Sequence, residues 1–171
     1  QFFDDFEDNQ NNWETGQEDN KYWKGSISVR DGAYIWDVKE FYKSDSARSW
    51  RDYRNASFIT DFDLSVDAKL ATPDSQLLCY AVVFRCSPNG ISSGTYIFYV
   101  RDHQKFAVEY ENDLDEDEVL TPWTYSDAIR SGDWNTLAVS ARGDHFVLSI
   151  NNVVVSEFTD DHRGSGYVHL M

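Results

Sequence analysis

Phe58-Ile59-Thr60-Asp61-Phe62-Asp63-Leu64-Ser65-Val66-Asp67-Ala68-Lys69-Leu70 is the stretch that decides the fold. Apolar and polar side chains alternate through it with a period of two, which is the pattern of a strand with one face on a core and the other in water. Phe62, Leu64, Val66 and Ala68 are expected inward; Asp61, Asp63, Ser65 and Asp67 are expected outward. On its C-terminal side, residues 77–86 form the most apolar run and read as one strand. Thr95–Arg101 and Lys105–Glu111 read as a hairpin around Asp102-His103-Gln104. Residues 134–141, 145–150 and 153–158 follow as strands, joined by Arg142-Gly143-Asp144 and Asn151-Asn152, and residues 166–171 start another.

On the N-terminal side, residues 26–29 and 33–38 flank Arg30-Asp31-Gly32. An Asp-Gly pair between alternating runs signals a hairpin. Phe2-Phe3-Asp4-Asp5-Phe6 reads as a short aromatic strand. Residues 9–20 and 41–55 read as polar loops, residues 112–118 as an acidic loop, and residues 127–130 as a helical turn. Many short strands separated by turns predict an all-β protein, a two-sheet antiparallel sandwich in one domain spanning 1–171. No repeat or low-complexity linker divides the chain.

Composition agrees. Aromatics make up 16% of the 171 residues, with 6 Trp, 10 Tyr and 11 Phe, the side chains that suit a pleated, half-buried surface. The net charge of −15 repels nucleic acid and anionic lipid, so neither is an expected partner. No apolar run approaches the ~20 residues of a membrane-spanning helix. The chain begins at Gln1 without a signal peptide, which suits a processed, secreted form or an excised domain. Cys79 and Cys86 share one strand and are expected not to bridge, because seven residues of straight strand span roughly 23 Å. Asn55-Ala56-Ser57 is a glycosylation sequon.

Several segments resemble, in order, the concanavalin A-like lectin/glucanase superfamily, a group that includes laminin-G-like and keto-disaccharide hydrolase-like extracellular domains. They are Phe3-Asp4-Asp5-Phe6 with Asn12-Trp13-Glu14; Asp31-Gly32-Ala33-Tyr34; Asp63-Leu64-Ser65-Val66-Asp67-Ala68; Val83-Phe84-Arg85; and Gly132-Asp133-Trp134-Asn135-Thr136-Leu137, followed by Ala141-Arg142-Gly143-Asp144 and Ile150-Asn151-Asn152-Val153. The resemblance implies a jelly-roll sandwich. It implies extracellular or cell-surface placement, and a structural calcium to which Asp4 and Asp5 would contribute, with no other cofactor. It also implies one strand more than the chain holds, pairing near residues 2–6. Either the chain is cut short, or a neighbouring subunit completes an open N-terminal strand edge and builds a homo-oligomer or filament.

Fold does not fix function, so the site residues are read from their own chemistry. Sugars are held by aromatic platforms and a few polar groups. Tyr80, Val82 and Phe84 share one strand face; Ala81, Val83 and Arg85 share the other, and Tyr99 and Glu109 on the next hairpin are expected to point the same way. Trp50, Tyr53 and Trp123 sit in polar loops. Arg85, Tyr99, Glu109, Trp50, Tyr53 and Trp123 are therefore the candidate ligand contacts of a non-catalytic, lectin-like carbohydrate-binding module. A structural or adhesive subunit is the alternative, and a glycoside hydrolase the remote one. Glu111-Asn112-Asp113-Leu114-Asp115-Glu116 superficially resembles a glucanase carboxylate signature, but its apolar spacer is broken by Asn112 and Asp115, so no catalytic residue is assigned.

Overall fold

The computed structural model describes residues 2–42, 51–52 (backbone only), 58–71, 78–90, 93–101, 103–112 and 117–171. These form two compact units: Gln1–Ala56 with Met171, and Ser57–Leu170. Among the described residues every regular element is a β-strand in antiparallel pairing; there is no helix, and none long and apolar enough to cross a membrane.

The N-terminal unit holds a three-stranded sheet in the order β1 (Gly16–Asp19), β2 (Trp23–Arg30), β3 (Ala33–Phe41), together with the two-residue β4 (Arg51–Asp52). Arg30 pairs directly with Ala33, leaving Asp31 and Gly32 as a two-residue loop with φ of 55° and 69°. Both positions need the left-handed region, which is why Asp-Gly stands there. Trp13, Phe6 and Tyr34 form an aromatic cluster with ring centroids 5.2–6.0 Å apart.

The strand expected at residues 2–6 is not formed. The Asp4 carboxylate accepts the Phe6 amide at 2.8 Å, folding the chain into a local Asx turn, and Phe6 takes φ 56°. The N-terminal strand edge on which a filament contact was expected is therefore absent from this segment. The helical turn expected near 127–130 is a hydrogen-bonded turn, in which the Ile129 amide donates to the Ser126 carbonyl at 3.2 Å.

The larger unit is a sandwich. One sheet runs β12 (Val153–Thr159), β11 (His145–Ile150), β10 (Asn135–Arg142), β5 (Phe62–Ala68). The other contains β13 (Tyr167–Leu170), β6 (Tyr80–Cys86), β7 (Thr95–Arg101), β8 (Lys105–Glu111) and β9 (Glu118–Tyr125), in that order. β5 alternates as its sequence requires: Phe62 is buried, Leu64 and Val66 pack on the core, and Asp63 and Asp67 face out. The two aspartates accept hydrogen bonds from Ser140 and Thr136 on β10. Between the sheets lie Phe84, Tyr96, Phe98 and Phe106 from one side and Leu137, Val139, Phe146 and Leu148 from the other, all essentially inaccessible to water. Burying side chains of this size stabilises by about 1.5–3 kcal/mol each.

Candidate functional site

The strand register sorts every side chain of β6–β9 to the core or to the outer face of this sheet. Ala81 pairs with Tyr99 and Tyr99 with Ala107; Val83 pairs with Ile97, Ile97 with Glu109 and Glu109 with Val119; Arg101 pairs with Lys105 and Lys105 with Tyr125. Paired residues share a face, so all of these point away from the core that holds Val82, Phe84, Phe98 and Phe106. The centre of the face is apolar and buried, and it opens toward β8 and β9, where Lys105, Val119 and Tyr125 are exposed.

Of the residues expected from sequence, Tyr99, Glu109 and Trp123 are brought together on this face. The Tyr99 and Trp123 rings lie 6.0 Å apart, and Tyr99 is buried while Trp123 and Glu109 are half-buried. Trp123 belongs to β9, a strand that sequence reasoning read as loop. The β8–β9 register shifts between Phe106 and Val108, so the period-two signal breaks there, and Pro122 sits in an edge strand, the position that tolerates it. Trp50 and Tyr53 lie outside the described residues.

Arg85 is not on the outer face. Between Val83 and Cys86 β6 takes three steps while β13 takes two from His169 to Tyr167, so β6 carries a bulge, with Arg85 at φ 50°. The bulge turns Arg85 inward beside Phe84. Its side chain is fully buried over the Phe146 ring and donates to the carbonyls of Arg163 (2.9 Å), Thr60 (3.0 Å) and Gly143 (2.7 Å). Gly166 is required beside it, since a Cβ there would fall 2.2 Å from the Arg85 carbonyl carbon. The expected outward placement of Arg85 is thus corrected: it ties loops together through their carbonyl oxygens.

Three outer-face residues were missed from sequence. Arg101 lies flat on Trp123, with its guanidinium carbon 3.8 Å from the ring centroid. Lys105 and Tyr125 continue the same row. The signal was present, because Arg101 and Lys105 are the hairpin ends flanking Asp102-His103-Gln104 and period two assigns them to the face of Tyr99. The Tyr125 hydroxyl donates to Asp127 (2.7 Å) and meets Gln104 at 3.0 Å; the bond to Asp127 holds the phenol above its ordinary pKa.

Asp4 and Asp5 are engaged with their own loop. Beyond the Phe6 amide, Asp4 accepts the Trp13 indole N–H at 2.6 Å and the Asn11 amide at 2.7 Å, and Asp5 accepts the Glu7 amide at 3.2 Å. Among the described residues no three His, Cys, Asp or Glu side chains are grouped to hold a metal. A separate polar cluster lies at the end of β12: Tyr96 donates to the nearly buried Asp160, His162 bonds Asp160 through Nδ1 at 2.9 Å, and its Nε2 faces Glu118 at 3.5 Å.

A family model for the 3-keto-alpha-glucoside-1,2-lyase-like domain matches residues 1–170, and the chain belongs to that family. No curated protein matches it significantly. Among solved structures it is similar to the carbohydrate-binding module CBM66 from Bacillus subtilis (15% identity, TM-score 0.62, 92% of this chain and 85% of that one). It is also similar to SCLam, a non-specific endo-β-1,3(4)-glucanase of family GH16 (12%, 0.63, 98% and 77%), and to the laminarinase catalytic domain from Thermotoga maritima (8%, 0.60, 98% and 82%). At these identities the likeness is one of fold: a concanavalin A-like jelly roll.

Proposed function

We propose that this domain is a non-catalytic carbohydrate-binding module, acting outside the cell, whose glycan lies on the outer face of β7–β9. The observation that supports this most is the convergence of the exposed Tyr125 with the half-buried Trp123, Arg101 and Glu109 around the buried Tyr99, where one sheet face opens toward β8 and β9. Rigid rings offer the apolar face of a sugar a stacking surface, and the flanking polar groups reach its hydroxyls. The fold supports it by analogy: one similar structure is named as a carbohydrate-binding module, one as an endo-β-1,3(4)-glucanase and one as a laminarinase catalytic domain.

Titration calorimetry against a panel of soluble glycans tests this. Trp123→Ala and Tyr125→Ala should each weaken binding at least about fivefold, the scale of a lost anchor of about 1 kcal/mol. Absence of binding across the panel, or unchanged affinity in both variants, would overturn the reading.

A further inference from the structure

We propose that the saccharide taken by this face is an acidic one, bearing carboxylate or sulfate groups, and that Arg101 and Lys105 hold its charge. This rests on the carbohydrate-binding reading above.

The chain has 15 Lys and Arg against 30 Asp and Glu, so a cation has abundant carboxylates to meet. Lys24 pairs with Asp19, Lys39 with Asp37, and Arg142 with Asp63. Lys21, Lys69, Arg130 and Arg163 have no such partner among the described residues, and Arg101 and Lys105 are set apart from them by facing one another. They stand directly opposite one another across β7 and β8 on the same face, and among the described residues neither has a carboxylate within ion-pair distance. Like charges directly opposite in a ladder are destabilising. The nearby Asp127 carboxylate is engaged by the Tyr125 hydroxyl.

Arg101 is also held in place. Its guanidinium carbon sits over the Trp123 ring, and its Nε is buried without an acceptor. A planar, pre-placed fork of this kind matches a carboxylate or sulfate ester. Lys105 adds an exposed point charge, and Tyr125, 57% exposed, is the next residue in the row. Strands are about 4.8 Å apart, so the row from Arg101 to Tyr125 spans about 10 Å. A saccharide can therefore rest its ring on Tyr125 while its anionic group lies between the two cations. Repulsion from carboxylates beyond about 10 Å is largely screened at 0.1 M salt, and the near one, Asp127, is turned onto the Tyr125 hydroxyl at the far end of the row from Arg101.

The test is titration calorimetry of the full chain with three oligosaccharides of equal length: a neutral β-glucan fragment, an oligogalacturonate and a sulfated galactan fragment. At least one acidic probe should bind ten or more times more tightly than the neutral one. Lys105→Gln and Arg101→Gln should each remove at least fivefold of that preference, and Lys105→Glu should abolish it. Lys105 is exposed and opposite Arg101, so its variants should melt no lower than the parent. Whichever acidic probe is preferred assigns carboxylate or sulfate. A neutral probe that binds as tightly as both acidic ones, with Tyr125→Ala still weakening it, overturns the acidic ligand while leaving the sugar-binding face standing. No binding by any of the three overturns both.

Discussion

The guanidinium carbon of Arg85 lies 4.6 Å from the centre of the Phe146 ring, inside the sandwich rather than on its surface. Burial lowers the pKa of this arginine, opposed by Tyr96, Asp61 and Asp144, yet an arginine stays charged throughout the accessible range. The charge is balanced by three carbonyl dipoles from three separate loops, those of Thr60, Gly143 and Arg163.

Arg85→Met should therefore act on stability and not on ligand affinity. The three bonds are part-buried, so water replaces some of what is lost, and each carbonyl left without its donor costs about 1 kcal/mol, the low end of the range for an unmade bond. A total near 3 kcal/mol corresponds to a fall in Tm of about 6–12 °C in a domain of this size. Arg85→Lys should fall between, because a single ammonium cannot reach three carbonyls in the fork geometry. Thermal unfolding measures the first effect, and calorimetry on the folded variant measures the second. A stable Arg85→Met protein with weakened glycan affinity would return Arg85 to the binding site.

What the sequence made legible, and what it hid, divides along physical lines. Strands with one buried face were readable: β5 by its alternation, and the β2–β3 and β11–β12 hairpins by Asp31-Gly32 and Asn151-Asn152, all four at positive φ. β1 and β9 were not. Gly16–Asp19 is polar throughout and mostly exposed, and β9 is an edge strand with a shifted register, so neither has a clean period of two. The Arg85 bulge had no signal, because a lone non-glycine residue in the left-handed region looks like any other in sequence. The same period-two logic that misplaced Arg85 placed Tyr99 and Glu109 correctly, since no bulge separates them from Ala81 and Ile97.

The cluster at the end of β12 should give stability a defined pH window. The hydrogen bond to Asp160 raises the His162 pKa, against burial, with Glu118 and Asp161 adding to it. Burial pushes Asp160 up, but hydrogen bonds from Tyr96 and His162 outweigh it and leave Asp160 low. A raised histidine stabilises fully below its unfolded value of 6.5 and loses the contribution as pH climbs through the folded value. A lowered aspartate stabilises above 3.8 and loses it as pH falls through the folded value. The contribution should be greatest between about pH 4 and 6.5. Urea unfolding at pH 5.5 and 8.5 should show His162→Gln losing more stability at the lower pH; equal losses at both would sink the assignment.

Asp4 saturates its carboxylate with N–H donors from Phe6, Asn11 and Trp13, whereas calcium takes six to eight oxygens. Any difference between melting in EDTA and in millimolar calcium should therefore be independent of Asp4, which instead contributes to Tm. Asp4→Ala should lower it and shift the Trp13 fluorescence to the red as the indole N–H loses its acceptor. A calcium-dependent rise in Tm that disappears in Asp4→Ala would instead make Asp4 and Asp5 ligands.

The family's name and the glucanase neighbours make catalysis the sharpest challenge to a binding module. Glu109 and Glu111 are the carboxylates that share the outer face of β8, Glu109 opposite Ile97 and Val119 and Glu111 opposite Thr95. Two residues along a strand put their Cα atoms about 6.6 Å apart, a spacing from which flexible glutamates reach more than one carboxyl separation, but Asn112 and Asp115 break the apolar spacer that would lock a catalytic pair after Glu111. Incubation with a β-1,3(4)-glucan and with a 3-keto-α-glucoside should therefore release no product, even where calorimetry detects binding. Turnover that vanished in Glu109→Gln or Glu111→Gln while affinity persisted would mean that the missing partner comes from residues 113–116, and the domain would have to be reclassified as an enzyme.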